Sequence, residues 1–398
     1  MEFHTADPAD VLRGRVTDVY FERTERTLRA RGIDRRVRAE FFVKRLPGDG
    51  EWAVLCGADD VVAMIEELAL DVGVRALPDG TLFRAGEPVL EIEGRYLEFG
   101  RHETAFLGLM CQASGVATRA ARCRLAAGPR PVVCFGARRV HPILAPAVER
   151  WAWIGGADGV AAILSAERIG IEPSGTMPHA LVLLFGDTVE AAKAFHEALP
   201  PDVPRIVLVD TFHDERFEAL RVAEALGPVL AGVRLDTPAS RRGDLLAILR
   251  EVRWELDLRG FRHVKLFVSG GLGESDILEL NPAADAYGVG TYITAAPPVD
   301  VSMDLVEIEG RAASKRGKLS GPKSLWRCGA CGADLLSPLG DAAPVPCPCG
   351  GARTDLLTQV YHGGERRVPR EDAVSARARV LAGLRAGALG RAGRTTQR

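Results

Sequence analysis

Between residues 131 and 297 the chain repeats one pattern: a continuous apolar run, a polar or glycine-rich stop, and a segment with helical spacing. "PVVCFGARR" opens the series, "RIVLVDTFHDE", "LAGVRLDTP" and "HVKLFVSGGLGE" follow, and "ADAYGVGTYI" closes it. Strands apolar on both faces must be covered on both faces, and a parallel ladder needs a crossover, which the intervening helices supply. Five such units predict an α/β barrel. The stops repeat as well: Arg138 and Arg139, Asp210 and His213, Arg234 and Asp236, Ser269 to Gly271, then Gly288 and Gly290. A solvated rim explains any one pair. Repetition over five strands points to the carboxyl-terminal rim, where barrels carry their catalytic loops.

The flanks are different. Residues 1 to about 100 alternate short strand-like runs ("RAEFFVKRLP", "EWAVLCG") with the helical "ADDVVAMIEELALDVG". "RHETAFLGLMCQASGVATRAARCRLAAG" predicts a long helix leading into the barrel, and "VSMDLVEIEGRAASKRGKLSG" a strand pair that returns to the first domain's sheet. The 51 basic residues nearly balance 53 acidic ones, which excludes a nucleic-acid polycation or an acidic disordered chain. No charged-then-apolar leader opens "MEFHTADPADVLRG" and no apolar run is long enough to span a bilayer, so a cytoplasmic protein is expected.

Several motifs carry chemistry. "SGGLGE" with Ser269, Gly270 and Gly271, and "GVGT" with Gly288, Gly290 and Thr291, expose backbone N–H groups where a phosphate could approach without meeting a Cβ. "GVRLDTP" puts Arg234 and Asp236 two apart, on one face of an extended strand, as a salt bridge or as a grip on a ribose with developing positive charge. "CFGARR" sets Phe135 three residues before Arg138, with Arg139 next, which suits an aromatic acid. In "EPSGTMPHALVLLFGD", Thr176 and His179 stand at the mouth of an apolar run. The imidazole there is either packed or placed for chemistry. Cys328, Cys331, Cys347 and Cys349 form C-x₂-C and C-x-C pairs, a pattern for structural zinc in a ribbon too short for its own core. The tight second pair leaves Cys349 or His362 as the fourth ligand.

Together "DVYF", "ETAFLGLMCQASGVATRAAR", "FGARR", "GGADG", "SGTMPH", "LVDTFHDE", "GVRLDTP", "VSGGLGE" and "YGVGT" resemble the nicotinate phosphoribosyltransferase family, in its short microbial form with a C-terminal zinc-binding module. The resemblance implies a fold of three parts: an N-terminal α/β sandwich over 1–115 completed by about 298–322, an irregular α/β (TIM-like) barrel over 116–297, and a zinc knuckle or ribbon with a helix over 323–398. It implies a homodimer, or a higher homo-oligomer, with the site at the subunit interface. The reaction implied joins nicotinate to 5-phosphoribosyl 1-pyrophosphate with Mg²⁺, and ATP phosphorylates a histidine matching His179. Tyr20 and Phe135 would flank the pyridine ring and Arg138 its carboxylate, with Arg139 in reserve. Arg234 and Asp236 would lie beside ring and ribose, Thr176 and Asp210 would contact substrate, and the two glycine loops would hold the 5′-phosphate.

Two departures accompany it. "LDTPASRRGD" replaces the family's serine-glycine-aspartate, so Thr237 and Asp244 are not obvious substitutes. Asp158 matches an aspartate that holds the amide in nicotinamide-using relatives. Rival readings are therefore a same-fold enzyme for nicotinamide or quinolinate, and a non-catalytic protein binding through the zinc module.

Overall fold

A computed structural model describes residues 3–341, 346–385 and 396–397. The chain divides into two compact units, Met1–Thr118 with Pro297–Arg398, and Arg119–Ala296.

The first unit is built on a seven-stranded antiparallel sheet ordered Arg311–Ala312, Val301–Ile308, Arg36–Val43, Pro88–Arg95, Val72–Ala76, Thr358–His362 and Glu365–Arg366. Alternation in "RVRAEFFV" makes its two faces different. Val37, Ala39, Phe41 and Val43 are buried and join Ile65, Leu90, Ile92, Phe99, Phe106 and Met110 in one core. Arg38 and Glu40 point the other way, where Arg38 pairs with Glu91 at 2.9 Å and Glu40 with Lys323 at 2.7 Å. Val301–Ile308 does return to this sheet, against Arg36–Val43, as the sequence predicts.

The C-terminal stretch differs from expectation, because 323–398 does not stand apart. Strand Lys323–Cys328 pairs with Asp334–Pro338 and Arg353–Asp355 in a small sheet, while Thr358–His362 is a strand of the large one. Leu325, Leu336, Leu357 and Tyr361 belong to the main core. A segment this short cannot bury enough apolar surface alone, so it borrows its neighbour's.

The second unit holds a six-stranded parallel sheet ordered Gly159–Val160, Val132–Cys134, Ala286–Val289, Lys265–Val268, Leu230–Leu235 and Arg205–Leu208. Gly159–Val160 is a strand that sequence reading misses, since two residues carry no periodicity. Among the described residues no ladder joins Gly159–Val160 to Arg205–Leu208, which makes the barrel irregular. The 174–178 segment, which has no regular secondary structure, runs beside the open edge: Ser174 N donates to Val160 O at 2.8 Å. Helices start where aspartates cap them, with Asp187 over Thr188–Ala198, Asp214 over Glu215–Leu226 and Asp244 over Leu245–Leu258. Among the described residues no helix is long and apolar enough to cross a membrane.

Candidate active site

Strand Arg205–Leu208 ends two residues before Asp210, strand Leu230–Leu235 carries Arg234 and stops just before Asp236, and strand Lys265–Val268 stops just before Ser269. Parallel register brings these ends together, and their side chains bond to one another. Ser269 Oγ donates to Asp236 Oδ1 at 2.8 Å. The Asp236 N–H donates to Asp210 Oδ2 at 3.0 Å. Arg234 Nη1 donates to Thr176 Oγ1 at 2.6 Å, and its Nη2 lies 3.8 Å from Asp236 Oδ2.

His179 enters this cluster from the first turn of helix His179–Phe185. Its Nδ1 is 3.0 Å from Thr211 Oγ1. Its Nε2 faces Asp236 Oδ2 at 3.8 Å and Asp210 Oδ1 at 4.0 Å. The ring is 40% exposed, whereas the Asp210 side chain is 1% exposed. A packed core imidazole would be covered. This one has a hydroxyl at Nδ1 and two carboxylates facing Nε2, and it still reaches solvent.

Burial pushes the Asp210 carboxyl above the usual carboxylate range, against the opposing pull of His179 and the Asp236 N–H. Burial also lowers the Arg234 guanidinium, which Asp236 and Asp210 partly restore. Asp210 Oδ1 is buried with no hydrogen-bond partner. An orphaned acceptor of this kind is costly in a finished core and expected where a cation or ligand completes the site.

Phe135, directly after strand Val132–Cys134, stacks on Phe267 at 5.7 Å, and the Arg234 guanidinium sits 5.9 Å from its ring centroid. Arg138 and Arg139 follow on an exposed turn, Arg138 close enough to Arg234 for its charge to act there. Arginine and aromatic ring thus meet at the same rim.

Three of these residues already have partners of their own in the fold. Asp158 is not part of the cluster: its carboxylate accepts from Val132 N at 2.9 Å, at the amino end of that strand, and pairs with Arg124. Gly288 is explained by packing, because a Cβ there would come within 2.4 Å of the Phe135 ring. Ser269 is committed to Asp236, so it positions a carboxylate instead of standing free for phosphate. Gly270 keeps φ +95 with its missing Cβ 3.0 Å from Asp236 O, a left-handed turn that wraps the same aspartate. Gly271 borders open space, and Gly290 precedes the exposed Thr291. Tyr20 belongs to the first unit, on helix Val19–Ala30, and is 55% exposed.

Sequence reading missed Thr211 and Glu215. Thr211 lies inside "DTFHDE", and its hydroxyl is the partner of His179. Glu215 Oε1 accepts from Thr237 Oγ1 at 2.5 Å, and Thr237 Oγ1 lies 3.3 Å from Asp210 Oδ2. Thr237 therefore buttresses Asp210, while Asp244 caps a helix and plays no part here. The adjacency of threonine to Asp210 and to Asp236 was the available signal.

Packing at Gly288 gives a direct test. Gly288→Ala should displace the Phe135 ring and cost about 1–3 kcal/mol of stability. Unchanged denaturation would show that the ring has room to spare.

In the first unit the four cysteine sulfurs lie within 4.8 Å of one another, Cys328 to Cys349 at 3.5 Å and Cys331 to Cys347 at 3.6 Å. This cluster could bind a metal. Backbone N–H groups of Cys331 and Ala330 help draw the Cys328 thiol down to about 6. His362 is elsewhere, paired with Gly73 in the large sheet, which leaves Cys349 as the fourth sulfur.

Comparison with known proteins places this geometry in a class. Residues 18–114 match the quinolinate phosphoribosyl transferase N-terminal domain family and residues 116–304 its C-terminal domain family. A nicotinate phosphoribosyltransferase of Mycobacterium tuberculosis is 32% identical over 325 residues, covering 72% of this chain and 68% of that one. A solved nicotinate-nucleotide pyrophosphorylase from Pyrococcus furiosus is 46% identical at a TM-score of 0.94, over 97% of this chain and 98% of that one. Human nicotinic acid phosphoribosyltransferase shares the fold, at a TM-score of 0.70 and 22% identity, over 93% of this chain and 94% of that one. The protein is an enzyme of the phosphoribosyltransferase class. More narrowly, the chain belongs to the quinolinate phosphoribosyl transferase-type family, whose descriptions name quinolinate where its named relatives act on nicotinate.

Proposed function

We propose that the enzyme joins nicotinate to 5-phosphoribosyl 1-pyrophosphate, giving nicotinate mononucleotide and pyrophosphate, and couples this to ATP through phosphorylation of His179. One observation carries nicotinate over quinolinate: the rim is poor in cations. The second unit has two lysines. Lys193 pairs with Glu190 at 3.0 Å, and Lys265 lies at the amino end of its strand against Asp285. Of the rim arginines, Arg234 is tied to Thr176 and Asp236, Arg119 bonds the Tyr292 hydroxyl and Arg122 faces Glu274 at 4.0 Å, which leaves Arg138 and Arg139. That set suits one carboxylate. Quinolinate presents two.

Displacement of pyrophosphate at an anomeric carbon passes through an oxocarbenium-like state, so positioning and charge matter more than a strong base. Asp236, oriented by Ser269 and Gly270, would face the developing positive charge. The Phe135 face with Arg138 would hold the ring and its carboxylate. His179, with Nδ1 on the Thr211 hydroxyl, keeps a fixed and accessible ring beside these groups, which supports its role as phosphate acceptor. Asp210, whose Oδ1 is orphaned, offers hard oxygen donors that would hold Mg²⁺. The cation would neutralise the substrate's diphosphate. Exposed Leu183, Leu184 and Phe185 on helix His179–Phe185 support a homodimer in which a second copy brings its exposed Tyr20 to the ring.

Pyrophosphate release with nicotinate, nicotinamide and quinolinate, with and without ATP, tests the reading. Turnover with nicotinate, stimulated by ATP, is expected. Carbon dioxide release from quinolinate at a comparable rate would overturn the substrate assignment.

The cysteine cluster would hold structural zinc, since four thiolates close the coordination shell and leave no position for substrate. Chelation should release zinc and lower the melting temperature while catalysis by the surviving folded fraction is unchanged. Cys328→Ser should lose the metal outright. A metal-free preparation with unaltered melting would refute a structural role.

A further inference from the structure

At the other end of the second unit's sheet a polar cavity of about 330 Å³ opens among Arg130, Arg253, Arg262, Lys265, Asp257 and Asp285. It lies at the amino ends of strands Lys265–Val268 and Ala286–Val289, opposite the rim that carries His179 and Asp236. Two of its cations are anchored by backbone carbonyls. Arg130 Nε donates to Ala284 O at 2.7 Å and its Nη2 to Asn281 O, and Arg253 donates to Val264 O and Phe261 O. These bonds fix the guanidinium planes without neutralising them. Asp257 accounts for Arg253 at 2.7 Å, and Asp285 reaches Lys265 only at 3.5 Å while accepting from Leu266 N. Arg262 makes no hydrogen bond or ion pair among the described residues, and Arg253 Nε is buried without a partner. Four cations thus face two carboxylates that are already engaged.

We infer that this cavity is a second anion site, taking a phosphate or diphosphate group at the amino end of the barrel. Rigid guanidinium forks and an ammonium in positive excess match the several acceptor oxygens of such a group. A volume at the lower end of small-ligand pockets admits a phosphate-bearing small molecule and no macromolecule. The cavity keeps this charge whichever pyridine acid the rim accepts.

Isothermal calorimetry of the full chain with inorganic pyrophosphate, and separately with ATP, reads the site. Four variants are compared: Arg262→Ala with Lys265→Ala, Arg262→Lys, Arg138→Ala at the opposite rim, and Arg250→Ala as an exposed charge control on helix Leu245–Leu258. The paired variant should lose one binding phase, or weaken it about tenfold or more, and should keep wild-type kcat. Arg262→Lys should retain most of the binding. Loss with pyrophosphate but not ATP would identify a free diphosphate as the ligand, and the reverse would identify a nucleotide tail. Unchanged binding of both anions in the paired variant, or an equal loss in Arg250→Ala, would overturn the inference.

Discussion

Asp236→Asn should lower kcat by roughly 10²–10³-fold while KM for both substrates changes by only a few fold. The carboxylate is oriented before substrate arrives: Ser269 holds Oδ1 at 2.8 Å, and the residue's own N–H is bonded to Asp210. A preorganised negative charge contributes most where positive charge grows, in the transition state, so its removal appears in kcat. Asparagine keeps the shape and the Ser269 bond, which separates the charge from the packing. Steady-state kinetics of pyrophosphate release decides the matter. If KM rises a hundredfold at constant kcat, Asp236 binds the ground state and the charge argument is wrong.

The second large effect is expected at His179. His179→Ala should reduce ATP consumption to background, abolish acid-labile ³²P incorporation from γ-labelled ATP, and remove stimulation by ATP. Synthesis without ATP should survive at a reduced rate, because Asp236, Arg234 and Phe135 remain. Thr211→Val should give a milder version of the same defect, since it frees the ring without removing it. Should His179→Ala hydrolyse ATP at the wild-type rate, the coupling does not pass through this imidazole.

Much of the rim was legible because barrel strands advertise their own ends. Apolar runs stopped by Asp210, Asp236 and Ser269 place those residues together as soon as the strands are parallel and in register. The division of labour inside the rim was not legible. Ser269 and Gly288 sit in glycine-rich stretches that read as phosphate loops, yet one bonds an aspartate and the other yields space to a phenyl ring. Asp158 sits in a family-like motif, yet its carboxylate is drawn to Val132 N and Arg124. In each case the deciding neighbour is distant in sequence, and a motif records only near ones.

The same contrast holds for the C-terminal stretch. Spacing alone identified four cysteines able to converge, since paired thiols a few residues apart have little choice of partner. It could not tell that Thr358–His362 would become a strand of the large sheet and carry His362 away from them. The amino-acid order by itself therefore determined the periodic elements, the barrel class and the set of reactive side chains, because these depend on contacts within a few residues. The tertiary structure alone decided which hydroxyl holds His179, which carboxylate has a buried oxygen without a hydrogen-bond partner, and which end of the sheet gathers cations in excess of carboxylates. Those outcomes depend on desolvation and on bonds between segments far apart along the chain, and both are set only when the strands assemble.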